Sequence, residues 1–277
     1  MDFRTKKDLF KYLTENKAEI VALKKSAVKF SDVVSFSADS AEKFSDLKDG
    51  DTSKAKYPYD NDEAKGVLKR TIVANTYNWL DSHDDVHLNG VFSESIKQKG
   101  TKIFHLNNHV RDFSAKIGRP LNVYEKAISW RELGQGKTGM TEALFLESEI
   151  KRAYSETMFD AYLNDEVDQH SVGMQYTKIS LAVNDEKEYP KEFEEWNKHI
   201  GKIGNRSKAE EQGFFWAVYE AKLVEVSAVL LGSNELTPTL GNKTNPSETM
   251  SFKVLESPER VPNKELLDRI NKLSKQI

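Results

Sequence analysis

The chain of 277 residues contains no cysteine. This absence excludes a disulfide scaffold, a thiol nucleophile and a cysteine-ligated metal site, and it is typical of a protein in a reducing compartment. No run of about 18 apolar residues occurs, and the first residues, MDFRTKKDLFKYL, lack the apolar segment of a signal peptide. The chain also lacks a large net charge of either sign, because it has 41 basic and 44 acidic residues. We therefore expect a cytoplasmic protein that binds neither membranes nor nucleic acid.

Composition divides the chain into three parts. Residues 5–25 carry apolar side chains at helical spacing and predict an amphipathic helix, whereas residues 35–66 are rich in Ser, Asp, Lys and Gly, as linkers are. We expect an N-terminal helix and polar linker at 1–66, a main domain at 67–240, and a flexible tail with a short amphipathic helix at 241–277. The apolar positions are Leu9, Leu13, Ile20 and Leu23 in the first helix and Leu266, Ile270, Leu273 and Ile277 in the second.

Strand patterns dominate the main domain. They occur in the segments VLKRTIVANTY, KIFHLNN, PLNVYEKAISWREL, MTEALFLES, HSVGMQYTKISLAV and FFWAVYEAKLVEVSAVLL. Apolar residues repeat at helical spacing only between Ile150 and Ala161 and between Phe193 and Ile200. Two helices are too few to give every strand a crossover helix, as a parallel sheet would require. We therefore predict an α+β fold with a mostly antiparallel sheet, closed into a β-barrel.

The strand HSVGMQY contains a candidate nucleophile. Ser171, Gly173 and Gln175 share one face of this strand, whereas Val172 and Met174 lie on the opposite, apolar face. We interpret Gly173 as leaving room for a substrate backbone to approach Ser171. A solvated strand serine beside a bulge glycine would give the same pattern.

The histidines allow two interpretations. His83 with His87, and His105 with His109, are spaced four residues apart, as zinc ligands on a helix are. Their strand and turn context, and the lack of an adjacent glutamate or any cysteine, argue against zinc. His109 is better placed as a general base presented by a loop, although a surface histidine would also fit.

Glu225 and Ser227 are the polar positions of the otherwise apolar strand LVEVSAVLL. A carboxylate in such a strand is costly to bury unless it is paired, so we expect a partner such as an imidazole; a solvated glutamate on the barrel exterior is the alternative. Serine, histidine and a carboxylate together form an acyl-transfer site. Ser171, His109 and Glu225 are therefore the candidate catalytic residues, with no cofactor and no metal.

The order of these segments resembles that of the tailed-phage prohead maturation proteases. That family has an Asp-rich turn, a Gly-Ala-Phe-like segment, a short helix, a strand, a histidine before an Ile-Gly turn, a Ser-x-Gly strand and a Leu-x-Glu-Val-Ser strand. The matching positions are Asp84 and Asp85, Gly90 to Phe92, Ser93 to Lys99, Ile103 to Leu106, His109, Ile117 and Gly118, Ser171 and Gly173, and Leu223 to Ser227. The resemblance covers residues 67–240. It departs from the family at Met174, where an aromatic residue is usual, and at LLGSNELTP, where the family has Ala-Asn-Pro.

The resemblance implies a barrel with surrounding helices, like that of herpesvirus assemblins, and a serine endopeptidase with Ser171 as nucleophile and His109 as general base. Glu225 would be the third member, although assemblins use a second histidine there. The implied substrates are phage scaffold and major capsid proteins, cleaved inside the immature capsid in the host cytoplasm by an enzyme that can form a homo-oligomer.

We also expect self-cleavage within one or both of the segments 35–66 and 233–262, whose polar composition is typical of accessible backbone. Two other functions stay open at this point. One is a non-catalytic, scaffold-like capsid-interior protein on the same fold, which a distance above about 8 Å between Ser171 and His109 would favour. The other is a metal hydrolase that uses the four paired histidines.

Overall fold

The computed structural model of the chain describes residues 3, 5–26, 28–30, 57 and 59–241. The predicted tail helix and most of the predicted linker lie outside these residues. The α-helices are α1 (Lys6–Glu15), α2 (Lys17–Ser26), α3 (Ser93–Lys99), α4 (Glu156–Leu163), α5 (Pro190–His199) and α6 (Arg206–Gln212). Short 3-10 helices occupy Glu63–Lys65, Phe113–Ala115 and Ile200–Lys202.

The strands are β1 (Lys29–Phe30), β2 (Asp60–Asp62), β3 (Val67–Thr76), β4 (Asp85–His87), β5 (Phe104–Asn107), β6 (Lys116–Ser129), β7 (Met140–Lys151), β8 (His170–Val183), β9 (Phe214–Ala228) and β10 (Thr239–Leu240). The six segments with strand patterns overlap β3, β5, β6, β7, β8 and β9, so a strand is confirmed in each, although β6 begins four residues before its predicted segment and β7 ends three residues after its own. The end of the predicted linker is structured, because β2 and a 3-10 helix fall within it. The first predicted helical repeat is shorter than expected, because Ile150 belongs to β7 and Ser155 caps the start of α4.

The α+β class and the predominance of antiparallel pairing are found, but the predicted closure into a barrel is wrong. The described strands form one open, mixed sheet in the order β1-β8-β9-β5-β6-β7-β3-β10, with β2 paired to β3 and β4 paired to β9. Both β4 and β5 run parallel to β9, and the other pairs are antiparallel.

Residues 236–238, which form a connecting segment and not a strand, lie between β8 and β3. The Thr237 hydroxyl accepts a hydrogen bond from the His170 backbone N–H at the start of β8. On the opposite side, the Pro238 carbonyl accepts from Val73 N–H in β3, and the Leu236 carbonyl accepts from the Thr76 hydroxyl. The backbone groups at this seam are therefore satisfied without β8 pairing to β3, so the sheet stays open.

Strand β9 organises the site because three elements lie along one of its edges. β4 pairs with residues 216–218, and β5 pairs with residues 225–228 of the same strand. Helix α3 lies between these two pairings and bonds the intervening β9 backbone: Ser95 accepts from Leu223 N–H, and Lys99 donates to Leu223 O. This arrangement places the residues after β5 beside the end of β9.

The predicted N-terminal helix is two helices that pack on the sheet. α1 ends at Glu15 and is capped by Asn16, whose side chain donates to the Tyr12 carbonyl, and α2 follows immediately. Leu13 and Ile20 are buried in the main hydrophobic core together with residues of β8 and β9. The apolar stripe of the predicted helix therefore packs on the sheet of the same chain. No helix among the described residues has the length and apolar composition needed to cross a membrane.

Candidate active site

The three candidate catalytic residues come from neighbouring strands. Ser171 is the second residue of β8, directly opposite Ser227 of β9, and Glu225 of β9 lies opposite Gly173. His109 follows β5, whose last residue pairs with Ala228. Because β8 and β5 flank β9 on its two edges, a serine, a carboxylate and an imidazole from distant parts of the chain meet at one place.

A continuous chain of hydrogen bonds joins the three side chains. His109 Nε2 lies 2.8 Å from Ser171 Oγ, and His109 Nδ1 lies 2.6 Å from Glu225 Oε1. The ionised carboxylate only accepts hydrogen bonds, so Nδ1 carries the proton and Nε2 is the acceptor for the serine hydroxyl. This tautomer is the one that a general base needs in order to take a proton from Ser171.

His109 reaches the site through an unusual backbone turn. Asn108 and His109 both have left-handed backbone angles, with φ of 49° and 58°. Residues other than glycine adopt these backbone angles at a cost in free energy, so the surrounding structure must stabilise the turn. Two bonds do so: His109 N–H donates to Ser227 Oγ at 3.0 Å, and Asn108 N–H donates to the Ala228 carbonyl at 2.9 Å.

Ser227 also fixes Glu225. Its hydroxyl donates to Glu225 Oε2 at 2.5 Å, while Oε1 binds His109. Glu225 is 1% exposed, and a buried carboxylate of this kind is stable only when its oxygens are hydrogen-bonded. The expectation that Glu225 is paired with an imidazole agrees with this geometry. Ser227 therefore holds both His109, through its backbone N–H, and Glu225, through its carboxylate. Sequence reasoning missed this role, although Ser227 is part of the Leu-x-Glu-Val-Ser motif.

Gly173 makes space for Glu225. A Cβ atom added at Gly173 would come within 3.0 Å of Glu225 Cγ and closer still to Oε1. The glycine therefore allows the carboxylate to lie across β8 toward His109. The sequence interpretation, in which Gly173 leaves room for a substrate backbone, is replaced by this packing role.

A second buried network of neutral groups lies next to Ser171. Ser148 Oγ lies 2.9 Å from His105 Nδ1, His105 Nε2 lies 3.2 Å from Tyr162 OH, and Tyr162 OH lies 2.8 Å from His170 Nε2. His170 Nδ1 donates to the Thr237 carbonyl at 2.8 Å, which fixes the direction of every proton back to Ser148. This network joins the strand before His109 to the residue before Ser171.

Burial lowers the pKa of both histidines in this network. For His105 the pKa falls well below its ordinary value, through burial and the neighbouring His170. For His170 burial lowers the pKa to about 4, although its bond to the Thr237 carbonyl opposes the shift. Both imidazoles are therefore neutral at pH 7, and His170 does not serve as the charged third member of the site.

The four histidines of the metal hypothesis are not gathered in one place. His87 bonds Asn75 and lies 3.3 Å from Tyr176 OH, whereas His105 and His109 belong to the two different networks described above. No group of three or more potential metal ligands occurs within the described ranges, 3 to 241 with their gaps. Comparisons of the chain with models of known protein families, with curated proteins and with solved structures found no match.

Proposed function

We propose that the protein is a serine endopeptidase in which Ser171 is the nucleophile, His109 the general base and Glu225 the residue that orients and stabilises the imidazole. The observation that carries this proposal is the unbroken hydrogen-bond chain from Ser171 Oγ through His109 to Glu225. Three features support it: the imidazole tautomer is the reactive one, the carboxylate has both oxygens bound, and all three groups are held by adjacent strands.

In the proposed reaction, Ser171 Oγ attacks a peptide carbonyl carbon while its proton moves to His109 Nε2. The tetrahedral intermediate collapses when His109 returns that proton to the amine nitrogen, which breaks the C–N bond and leaves an acyl ester on Ser171. A water molecule then repeats the two steps and releases the acid. A positioned general base contributes on the order of 10²- to 10⁴-fold to such a reaction.

Glu225 stabilises the imidazolium that forms in each step. Its carboxylate accepts a hydrogen bond from Nδ1–H and offsets the positive charge of the ring. Ser227 keeps the carboxylate aligned by donating to the oxygen that His109 does not use.

The biological setting follows from the sequence resemblance to prohead maturation proteases. We propose that the enzyme acts inside an immature phage capsid and cleaves scaffold protein, major capsid protein and its own polar segments. The non-catalytic, scaffold-like alternative required Ser171 and His109 to be far apart, and the 2.8 Å between Oγ and Nε2 weighs against it.

Intact-mass measurement tests this proposal. Each variant is co-expressed with the capsid and scaffold proteins that neighbouring genes encode. The variants are the wild-type chain, Ser171→Ala and the matched control Ser180→Ala, which lies toward the far end of β8. We expect cleavage products of this chain or its partners with wild type and Ser180→Ala, and full-length masses only with Ser171→Ala. Equal products from Ser171→Ala, or no products from any variant, would reject the proposal.

A further inference from the structure

The edge of β8 beside Ser171 is lined by only a short piece of the described chain. β9 pairs with the other edge along the whole strand, whereas β1 covers only Met174 and Gly173. At the start of the strand, the Thr237 hydroxyl accepts from His170 N–H and donates to the His170 carbonyl. Ser171 therefore lies between the position of Thr237 and the position of β1.

The backbone pattern makes this edge suitable for an extended polypeptide. His170 directs its N–H and C=O toward this edge, and in a strand every second residue does the same. Val172 and Met174 therefore present their backbone groups to the same edge as His170. Pairing with such groups is how extended peptides add to sheets, with main-chain hydrogen bonds supplying affinity.

β1 occupies this edge in the orientation of an added strand. It is antiparallel to β8, with Lys29 opposite Met174 and Phe30 opposite Gly173, so it runs toward Ser171. Since the Met174 backbone groups face this edge, Lys29 is the β1 residue that exchanges hydrogen bonds with them.

The helix before β1 is firmly anchored, so β1 is delivered to the edge at high local concentration. Lys24 of α2 is 5% exposed and forms an ion pair with the buried Asp85, which also accepts from Tyr176 OH at 2.7 Å. Gln175 of β8 donates to the Lys25 carbonyl at 3.2 Å, at the end of the same helix. Only a few residues separate this anchor from Lys29, and so short a tether gives a high effective concentration.

The catalytic groups are closed off in this state. Ser171 is 2% exposed and His109 is 9% exposed, so the hydroxyl cannot meet a peptide carbonyl without a displacement. A two-residue strand is the least costly pairing of β8 to displace, since β9 pairs with the opposite edge over the full length of β8.

We propose that the β8 edge at Gly173 and Met174 is a binding site for an extended polypeptide substrate, and that β1 fills it as an internal competitor. The competitor keeps the enzyme latent until a substrate strand, or a change in the N-terminal segment, displaces β1. The catalytic consequence rests on the proposed function, whereas the competition between β1 and an added strand does not.

A binding experiment in the inactive Ser171→Ala background tests the competition alone. The probe is a fluorescein-labelled peptide with the sequence SAVKFSD, residues 26–32, which lacks the anchor residues Lys24 and Lys25, and its binding is measured by fluorescence polarisation. Lys29→Pro removes the N–H that pairs with Met174, whereas the matched control Lys29→Ala keeps it. We expect the peptide to bind Lys29→Pro at least about 10-fold more tightly than Lys29→Ala, since the internal strand no longer competes.

A milder variant keeps the test decisive if Lys29→Pro proves unstable. Gln175→Ala removes one hydrogen bond to the anchor and should increase peptide affinity by about 2- to 10-fold. Equal affinity in all folded variants, or no binding to any of them, would overturn the inference. Because every variant lacks the Ser171 hydroxyl, this result is independent of whether the chain cleaves peptides.

Discussion

Replacement of Gly173 by alanine probes the site without removing any polar group. The added methyl would lie within 3.0 Å of Glu225 Cγ and 3.1 Å of Cδ, whereas ordinary contacts begin near 3.4 Å. The atom that approaches most closely is Oε1, which is the one bound to His109 Nδ1. Backbone on both sides fixes this approach, so the carboxylate must move away from the imidazole.

We expect Gly173→Ala to lower kcat/KM about 10²-fold, because a displacement near 1 Å at a catalytic group has an effect of this size. Gly173 has no left-handed backbone angle, so alanine by itself should stabilise the fold by about 0.4–1 kcal/mol. A buried carboxylate with a broken hydrogen bond instead costs about 1–3 kcal/mol. The net prediction is a loss of both activity and stability.

The assay uses a quenched fluorescent peptide built around the cleavage site found by mass spectrometry, together with urea unfolding of each variant. Gly201→Ala is the matched control, because a Cβ there has no neighbour within 4 Å. Glu225→Asp shortens the side chain by one methylene, so the Gly173→Ala/Glu225→Asp double variant should lose less than the product of the single losses. Wild-type activity and stability in Gly173→Ala would refute the packing role of this glycine.

Four further outcomes are expected. His109→Ala should reduce activity nearly as much as loss of the serine, and a double variant far worse than either single would contradict their action as a unit. Glu225→Gln should lower kcat with little change in stability, and unchanged kcat would exclude it as the third member. Ser227→Ala should lower kcat more than it raises KM, whereas Ser227→Thr keeps the hydroxyl and should retain most activity; equal losses would contradict the positioning role. Burial lowers the pKa of His170 from 6.5 to about 4, so the stability that this residue contributes is complete above pH 6.5 and is lost as pH falls toward 4, approaching about 3 kcal/mol. Urea unfolding between pH 7.5 and 4.5 measures that loss, which should shrink in His170→Gln.

The sequence located the candidate site because the signals there are local. A serine before a glycine in an apolar strand, a carboxylate in another, and a histidine after a third can each be recognised from their neighbours. The structure brings Ser171, His109 and Glu225 into hydrogen-bond contact, although the pattern alone did not show which strands were adjacent.

The prediction of a closed barrel was wrong because the periodicity of a strand does not show which strand, far away in the sequence, it pairs with. The pattern of β5 is the same whether it pairs parallel or antiparallel to β9, and α3 decides the direction by filling the space along β9 between β4 and β5. The role of Gly173 was missed for the same reason, since it depends on which residue lies opposite. The buried histidine network was also invisible, because His105 and His170 owe their neutral state to tertiary burial.

The position of β9 in the sheet sets the time at which the site can form during biosynthesis. β5 and β8 emerge from the ribosome first, but they flank a gap that only residues 214–228 fill. A nascent chain that stops short of β9 has the serine and the histidine without the carboxylate, and without the strand that holds them together. Long-range pairing of this kind is slow compared with local folding. Translation therefore keeps the reactive groups apart until nearly all of the described chain has been made.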